Sequence, residues 1–310
     1  MKRFINLLRI GFLSAVLLCL CLVVLGLHAQ TGATAGVSPP PRHTLTGNIK
    51  IHEGFESRFL PARNLIVYLP PDYENNKSRR YPVLYVQDGQ NMFDAATSFL
   101  PGREWHMDEE AQKLISQGAI EPLIIVGISS GGLARVNEFT PAMAAGPRPT
   151  GHADLYGRML VEEIKPFIDT RYRTIASATQ TSLAGTSLGG LATLYLGLKY
   201  KNVFGKLAII SPAAFWGDEF ITHYVRSLPA KTNQRIYLTI GTAELSEFLN
   251  STRNLRRAII SKGWKEGSDF GYLEVDGAQH SPGERAVRVD HTLRFLSPAP
   301  SKGPGKASDA

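Results

Sequence analysis

Seven apolar runs of strand length punctuate this chain, and stretches with helical patterning lie between them. The runs are LIVYLP (65–70), PVLYVQ (82–87), LIIVGIS (123–129), TSLAG (181–185), LAIIS (207–211), RIYLTIG (235–241) and FGYLEV (270–275). Helical patterns cover 104–117, 154–168, 187–200, 219–227, 244–261 and 281–295. Several runs are apolar at almost every position, as strands covered on both faces must be. Strands alternating with helices predict an α/β fold, a mainly parallel central sheet with helices on both faces. Such a sheet places its active site at the carboxyl ends of the strands.

The alternation runs without a linker-like break or an internal repeat, which predicts one domain over 43–296. Residues 30–42, QTGATAGVSPPPR, read as a flexible lead-in, and 297–310, SPAPSKGPGKASDA, hold too little apolar surface to pack and read as a disordered tail. The first 29 residues begin basic with Lys2 and Arg3, run apolar from 10 to 27, and end on Ala29. That order predicts a secretory signal peptide cleaved after Ala29, hence a secreted or periplasmic protein with no stable membrane association after cleavage. The apolar run is long enough to leave an N-terminal membrane anchor as the alternative. Both cysteines, Cys19 and Cys21, fall inside this segment, each preceded by a leucine where a lipoprotein site needs a small residue. A cleaved product therefore has no thiol, which excludes disulfides, cysteine nucleophiles and thiolate metal sites. The formal charge of +7 owes three positive charges to Lys2, Arg3 and Arg9. No basic stripe interleaved with aromatics follows, so nucleic acid is not an expected partner.

The stretch SLAGTSLGGLATLYLGLKY (182–200) passes from a buried strand through glycines into a buried helix, with Ser187 between Gly185 and Gly189. A sharp strand-to-helix turn needs small residues on either side of its centre. It holds a serine hydroxyl above the sheet and points the next backbone N–H, that of Leu188, at a developing oxyanion. Close packing of a glycine-softened helix start would leave the same trace, so the partners of Ser187 decide. A serine needs a base near neutral pH. Of the seven histidines after residue 29, His43 and His52 precede the expected sheet, His106 and His152 precede the serine, and His223 and His291 fall within helical patterns. His280 follows the last strand and precedes the last helix, at the same sheet edge as Ser187. The base in turn needs a carboxylate. Glu244 stands three residues beyond Gly241 at a strand end, with Glu247 one helical turn later; Asp276 and Asp218 stay open as alternatives. The order Ser187, Glu244, His280 is the nucleophile–acid–histidine order of α/β-hydrolases.

At this point the chain resembles the "putative esterase" branch of α/β-hydrolases, which includes enterochelin esterases, feruloyl and acetyl-xylan esterases, S-formylglutathione hydrolases and mycolyltransferases. The likeness covers most of residues 45 to 297. It is carried by YPVLYVQDGQNMFD (81–94), EWHMDE (104–109), IIVGI (124–128), RVNEFTP (135–141), EEIKPFIDTRYRT (162–174), AGTSLGGLATLYL (184–196), SPAAFW (211–216) and GTAE (241–244). The resemblance implies that the DGQN loop supplies a second oxyanion donor, the backbone N–H of Gln90. It also supports Glu244 as the acid, where many relatives carry aspartate.

Trp105, Phe215 and Trp216 are candidates for an acyl or aryl wall of the pocket; Arg135 and Glu138 could pair or line the pocket, and a purely structural salt bridge is the favoured reading. HMDEE (106–110) offers a histidine beside carboxylates but no second histidine at ligand spacing, so it reads as an acidic helix start; neither metal nor cofactor is expected. The expectation is a serine carboxylesterase with a small-molecule or carbohydrate ester as its partner. An acyltransferase with the same triad, or a binding protein on an inactive scaffold, are the alternatives.

Overall fold

The computed structural model describes residues 42–142 and 151–299. The expected signal peptide, nearly all of the lead-in and most of the tail lie outside the described residues. One eight-stranded sheet runs through the described chain in the order β1-β2-β4-β3-β5-β6-β7-β8. Its strands are β1 (Asn48–Phe55), β2 (Arg63–Leu69), β3 (Val83–Gln87), β4 (Ile124–Ile128), β5 (Thr181–Thr186), β6 (Lys206–Ile210), β7 (Arg235–Gly241) and β8 (Phe270–Val275). The pairs β1–β2 and β2–β4 are antiparallel, and every other pair is parallel. This is the α/β-hydrolase type of architecture. The seven expected strands are present within about two residues of their sequence bounds.

The eighth is a correction. The sheet begins at Asn48, so His52 lies within it, bonded through Nε2 to the Tyr172 hydroxyl at 2.7 Å. β1 is an edge strand, half exposed, with Ile49 and Ile51 interleaved among polar residues. It lacks the continuous apolar run that marks a strand buried on both faces.

Alternation along each strand feeds two cores. Leu65, Val67, Leu183 and Leu207 face one side with Leu191 and Leu194, while Ile66, Tyr68, Ala184 and Ala208 face the other with Val289 and Leu293. The helices that follow the strands are α1 (Met107–Ser116), α2 (Arg135–Phe139), α3 (Ala153–Arg158), α4 (Lys165–Arg171), α5 (Leu188–Lys199), α6 (Trp216–Ser227), α7 (Ser246–Ser261) and α8 (Pro282–Leu296). α1 starts at Met107, not at 104, because His106 takes a left-handed backbone (φ 54°) that a helix cannot continue. The pattern over 154–168 is α3 plus a π-helical turn (Met159–Ile164) leading into α4, where Pro166 removes a donor. α6 opens on three left-handed residues, Gly217, Asp218 and Glu219, before it runs regularly.

Candidate active site

Ser187 sits between the end of β5 and the start of α5, with φ 56° and ψ −121°, a backbone conformation that L-residues rarely adopt. Its surroundings hold it there. Its N–H reaches the carbonyls of Ile210 (3.1 Å) and Ser211 (3.2 Å), and its carbonyl accepts from Leu191 (3.1 Å) and Ala213 (3.0 Å). A Cβ on Gly185 would come within 2.4 Å of the Gly189 carbonyl oxygen, so the turn closes only around glycine. The central position of β5, between β3 and β6, sets this turn at the middle of the sheet's carboxyl edge.

Glu244 and His280 meet at the same edge. The loop after β7 buries Glu244, and the loop after β8 brings the His280 Nδ1 to 2.6 Å from its Oε2. The other carboxylate oxygen, Oε1, accepts the Gly241 N–H at 3.0 Å, the Ser211 hydroxyl, and the Arg288 Nη2 at 3.2 Å. Burial alone would raise the Glu244 carboxyl. The hydrogen bond and charge of His280, with Ser211 and the Gly241 N–H, outweigh it and hold the group down at about 2. An ionised carboxylate on Nδ1 selects the tautomer with its proton there and its lone pair on Nε2. The two loops are laced together: Thr242 N to Val275 O (3.0 Å), Ala243 N to Ala278 O (3.1 Å), Gly277 N to Thr242 Oγ1 (2.8 Å) and Thr242 Oγ1 to Asp276 Oδ1 (3.1 Å). Ser211 completes the link to the serine turn, since its carbonyl takes the Ser187 N–H while its hydroxyl bonds Glu244. The three residues singled out in the sequence thus share one sheet edge. Of the alternative acids, Asp276 accepts from Thr242 Oγ1, and Asp218 and Glu247 are exposed.

Across the turn lies the loop after β3. Gln90 stands in a short 3-10 turn (Gly89–Asn91), and Leu188 is the first residue of α5. Both are in first turns, where backbone N–H groups have no intrahelical acceptor and the helix dipole favours negative charge. The Gln90 side chain is pinned to the end of β4, its Nε2 donating to Ser130 Oγ (2.8 Å) and its Oε1 accepting the Ser130 N–H (3.1 Å). Gly89 is pressed onto β4 so closely that a Cβ would lie 2.3 Å from the Gly127 carbonyl carbon. Asp88, left-handed and buried, receives a bidentate Arg135 (2.6 and 2.7 Å). Burial alone would lower the Arg135 guanidinium; Asp88 reverses that and raises it.

Other candidates fall differently. Trp105 is only 2% exposed and packs with core residues of α1 and α8. Phe215 and Trp216 are half-buried at the start of α6. Trp216 packs on the core, whereas the Phe215 ring lies 4.7 Å from that of Phe248, which lies 4.5 Å from His280. Phe248, which the sequence reading missed, is an aromatic neighbour of the imidazole. Arg135 and Glu138 do not pair with each other; Glu138 binds buried Arg63 through two bonds (3.0 and 3.1 Å). Among the described residues, Glu104, His106 and Glu109 offer ligand atoms within 4.8 Å of one another, one imidazole and two carboxylates that could hold a cation. They lie at the start of α1, and none contacts Ser187, Glu244 or His280 through a described hydrogen bond.

Known proteins resemble this chain. The sequence profile of a family described as "Putative esterase" matches residues 59–278. The chain is 26% identical over 248 residues to "Uncharacterized protein YbbA" of Bacillus subtilis, covering 76% of this chain and 91% of that one. It is 27% identical over 279 residues to the "Ferri-bacillibactin esterase BesA" of the same organism, covering 81% and 92%. Among solved structures, a "ferulic acid esterase" superposes with a TM-score of 0.64 at 18% identity, covering 81% of this chain and 98% of that one.

Proposed function

This chain belongs to the family described as "Putative esterase" and is a carboxylic ester hydrolase, and we propose that it works through a serine acyl-enzyme on an ester outside the cytoplasm. One observation carries the mechanism: a serine in a strained strand-to-helix turn shares an edge with a histidine whose Nδ1 is held at 2.6 Å by a buried carboxylate. Ser187 Oγ attacks the ester carbonyl carbon while His280 Nε2 takes its proton, and Glu244 stabilises the resulting imidazolium. The negative charge that develops on the carbonyl oxygen rests on the N–H groups of Leu188 and Gln90. Collapse breaks the bond to the alcohol oxygen, which leaves with the proton from His280. Water then gives its proton to His280 as it attacks the acyl-enzyme, and release of the acid restores Ser187.

For the substrate we favour esters of aromatic acids, either on carbohydrate or in a siderophore. The support is the chain of ring contacts from Phe215 through Phe248 to His280, which sets aromatic surface beside the imidazole. The names of the relatives, one a ferri-bacillibactin esterase and one a ferulic acid esterase, agree with that class. Export rests on the basic, apolar and small-residue order of the first 29 residues.

Fluorophosphonate labelling, followed by peptide mapping, is expected to modify Ser187. A panel of acetyl, feruloyl and catecholate-siderophore esters is expected to show faster turnover for the aromatic acids. Labelling elsewhere, or an unlabelled but active enzyme, would remove the acyl-enzyme reading. Mass spectrometry of the exported protein is expected to find Gln30 at the N-terminus; a full-length product held in the membrane would replace secretion by an anchor.

A further inference from the structure

Arg288 lies in α8, far in sequence from the acid, yet its guanidinium is fully buried against it. It donates from Nη1 to Ser211 Oγ, from Nη2 to Glu244 Oε1 at 3.2 Å, and from Nη2 to the Gln279 carbonyl at 3.4 Å. Those three acceptors belong to the strut between nucleophile and acid, to the acid itself, and to the residue before the base. We propose that Arg288 is a positioning residue for the reaction, acting with Ser211 through the Glu244 carboxylate. The inference rests on the triad reading above.

The division of labour at the carboxylate carries the argument. Oε1 is filled by the Gly241 N–H, the Ser211 hydroxyl and Arg288, while Oε2 faces Nδ1. Because Ser211 Oγ accepts from Arg288, its own proton is directed at Oε1. The arginine therefore sets the hydroxyl as well as the acid. With Oε1 saturated, the carboxylate has one orientation left, and it points at His280. A buried arginine that only stabilised the fold would owe nothing to the charge on Glu244, which gives the two roles different signatures.

A double-mutant cycle separates them. In the wild-type background Arg288→Met is expected to lower kcat by about 10- to 100-fold with KM changed less than about two-fold, because the acid acts in the transition state. In a Glu244→Gln background the same substitution is expected to change kcat by less than about two-fold, since no carboxylate remains to be positioned. Arg288→Lys keeps the charge and is expected to recover part of the loss. Ser211→Ala runs through the same cycle, and the pair carries the test if Arg288→Met does not fold. An equal factor in both backgrounds, or a loss confined to KM, would overturn the proposal. Ser187→Ala tells the two readings apart. Wild-type turnover there removes the triad and this proposal together. A dead Ser187→Ala beside a fully active Arg288→Met removes this proposal alone.

Discussion

Glu244→Gln keeps the length of the acid and one acceptor but deletes the charge on which His280 depends. The native carboxyl is held at about 2 against an ordinary 4.5, chiefly by its bond to His280 once the opposing cost of burial is overcome. At about 1.4 kcal/mol per unit, that depression is worth about 3 kcal/mol, or roughly 10²-fold in rate if the imidazolium loses it in the transition state. The amide adds a second loss, because its NH₂ can donate to Nδ1 and push the imidazole proton onto Nε2, the wrong nitrogen for a base. The kcat for a short-chain aryl ester at pH 8 is therefore expected to fall between about 10²- and 10⁴-fold, and less than for Ser187→Ala. The stability follows a stated window. A depressed folded-state carboxyl stabilises the protein above its ordinary value and loses that contribution as pH falls from about 4.5 to about 2. The gap in stability between wild type and Glu244→Gln is thus expected to be full above pH 5 and to close below it. Steady-state kinetics and chemical denaturation across pH 3–8 measure both. A loss under ten-fold at unchanged circular dichroism, or a crippled Glu247→Gln beside an active Glu244→Gln, would refute the assignment.

Ser187→Ala and His280→Ala are each expected to remove most ester hydrolysis, and the double variant to be no worse than the poorer single one, because the pair acts as a unit; independent losses in the kinetics would contradict that. Phe248→Ala, which removes the ring beside His280, is expected to raise KM for aromatic-acid esters by about 2- to 10-fold and to leave acetyl esters nearly unchanged. Burial, followed by its hydrogen bond with Glu109, pushes the Asp108 carboxyl up to about 8. A raised carboxyl binds its proton more tightly folded than unfolded, so stability falls as pH rises from about 4 to 8. Asp108→Asn keeps an acceptor for the Thr46 N–H and is expected to raise the melting temperature at pH 8, by on the order of 2 kcal/mol in stability, and hardly at pH 4; equal effects at both values would count against it.

What could be read from residues alone divides along physical lines. β3 and β5 announce themselves because strands buried on both faces are apolar throughout. β1 hides because an edge strand carries lysine, histidine and glutamate among its isoleucines. Ser187 is legible because a tight turn imposes glycines next to it, and His280 because a loop histidine after the last strand has few other places to stand. Ser211 and Arg288 leave no such local mark. Ser211 looks like any serine after a strand, although its buried left-handed backbone (φ 44°) is unusual. Arg288 follows exposed Val287 in a helix and reads as solvent-facing, yet it shares the inward face with Val289. Its side-chain partners Glu244 and Ser211 are 44 and 77 residues away in sequence, and only packing brings them together. Trp105 shows the limit for aromatic residues, since an indole leaves the same trace in the sequence whether it packs in a core or lines a pocket.

The four bonds between the loops after β7 and β8 have a kinematic meaning. Two loops stitched in this way share their displacements, so the acid and the base travel as one rigid bank of the cleft. The opposite bank is made by the loops after β3 and β4, where Phe99, Leu100, Leu133 and Val136 stand exposed. The acid–base bank also carries the Phe248 ring, so its contribution to substrate choice is fixed together with the base, and the opposite bank is the side free to vary. Grafting the β3 and β4 loops of a relative onto this chain would carry over that relative's preference for bulk and leave the proton-transfer machinery as it is.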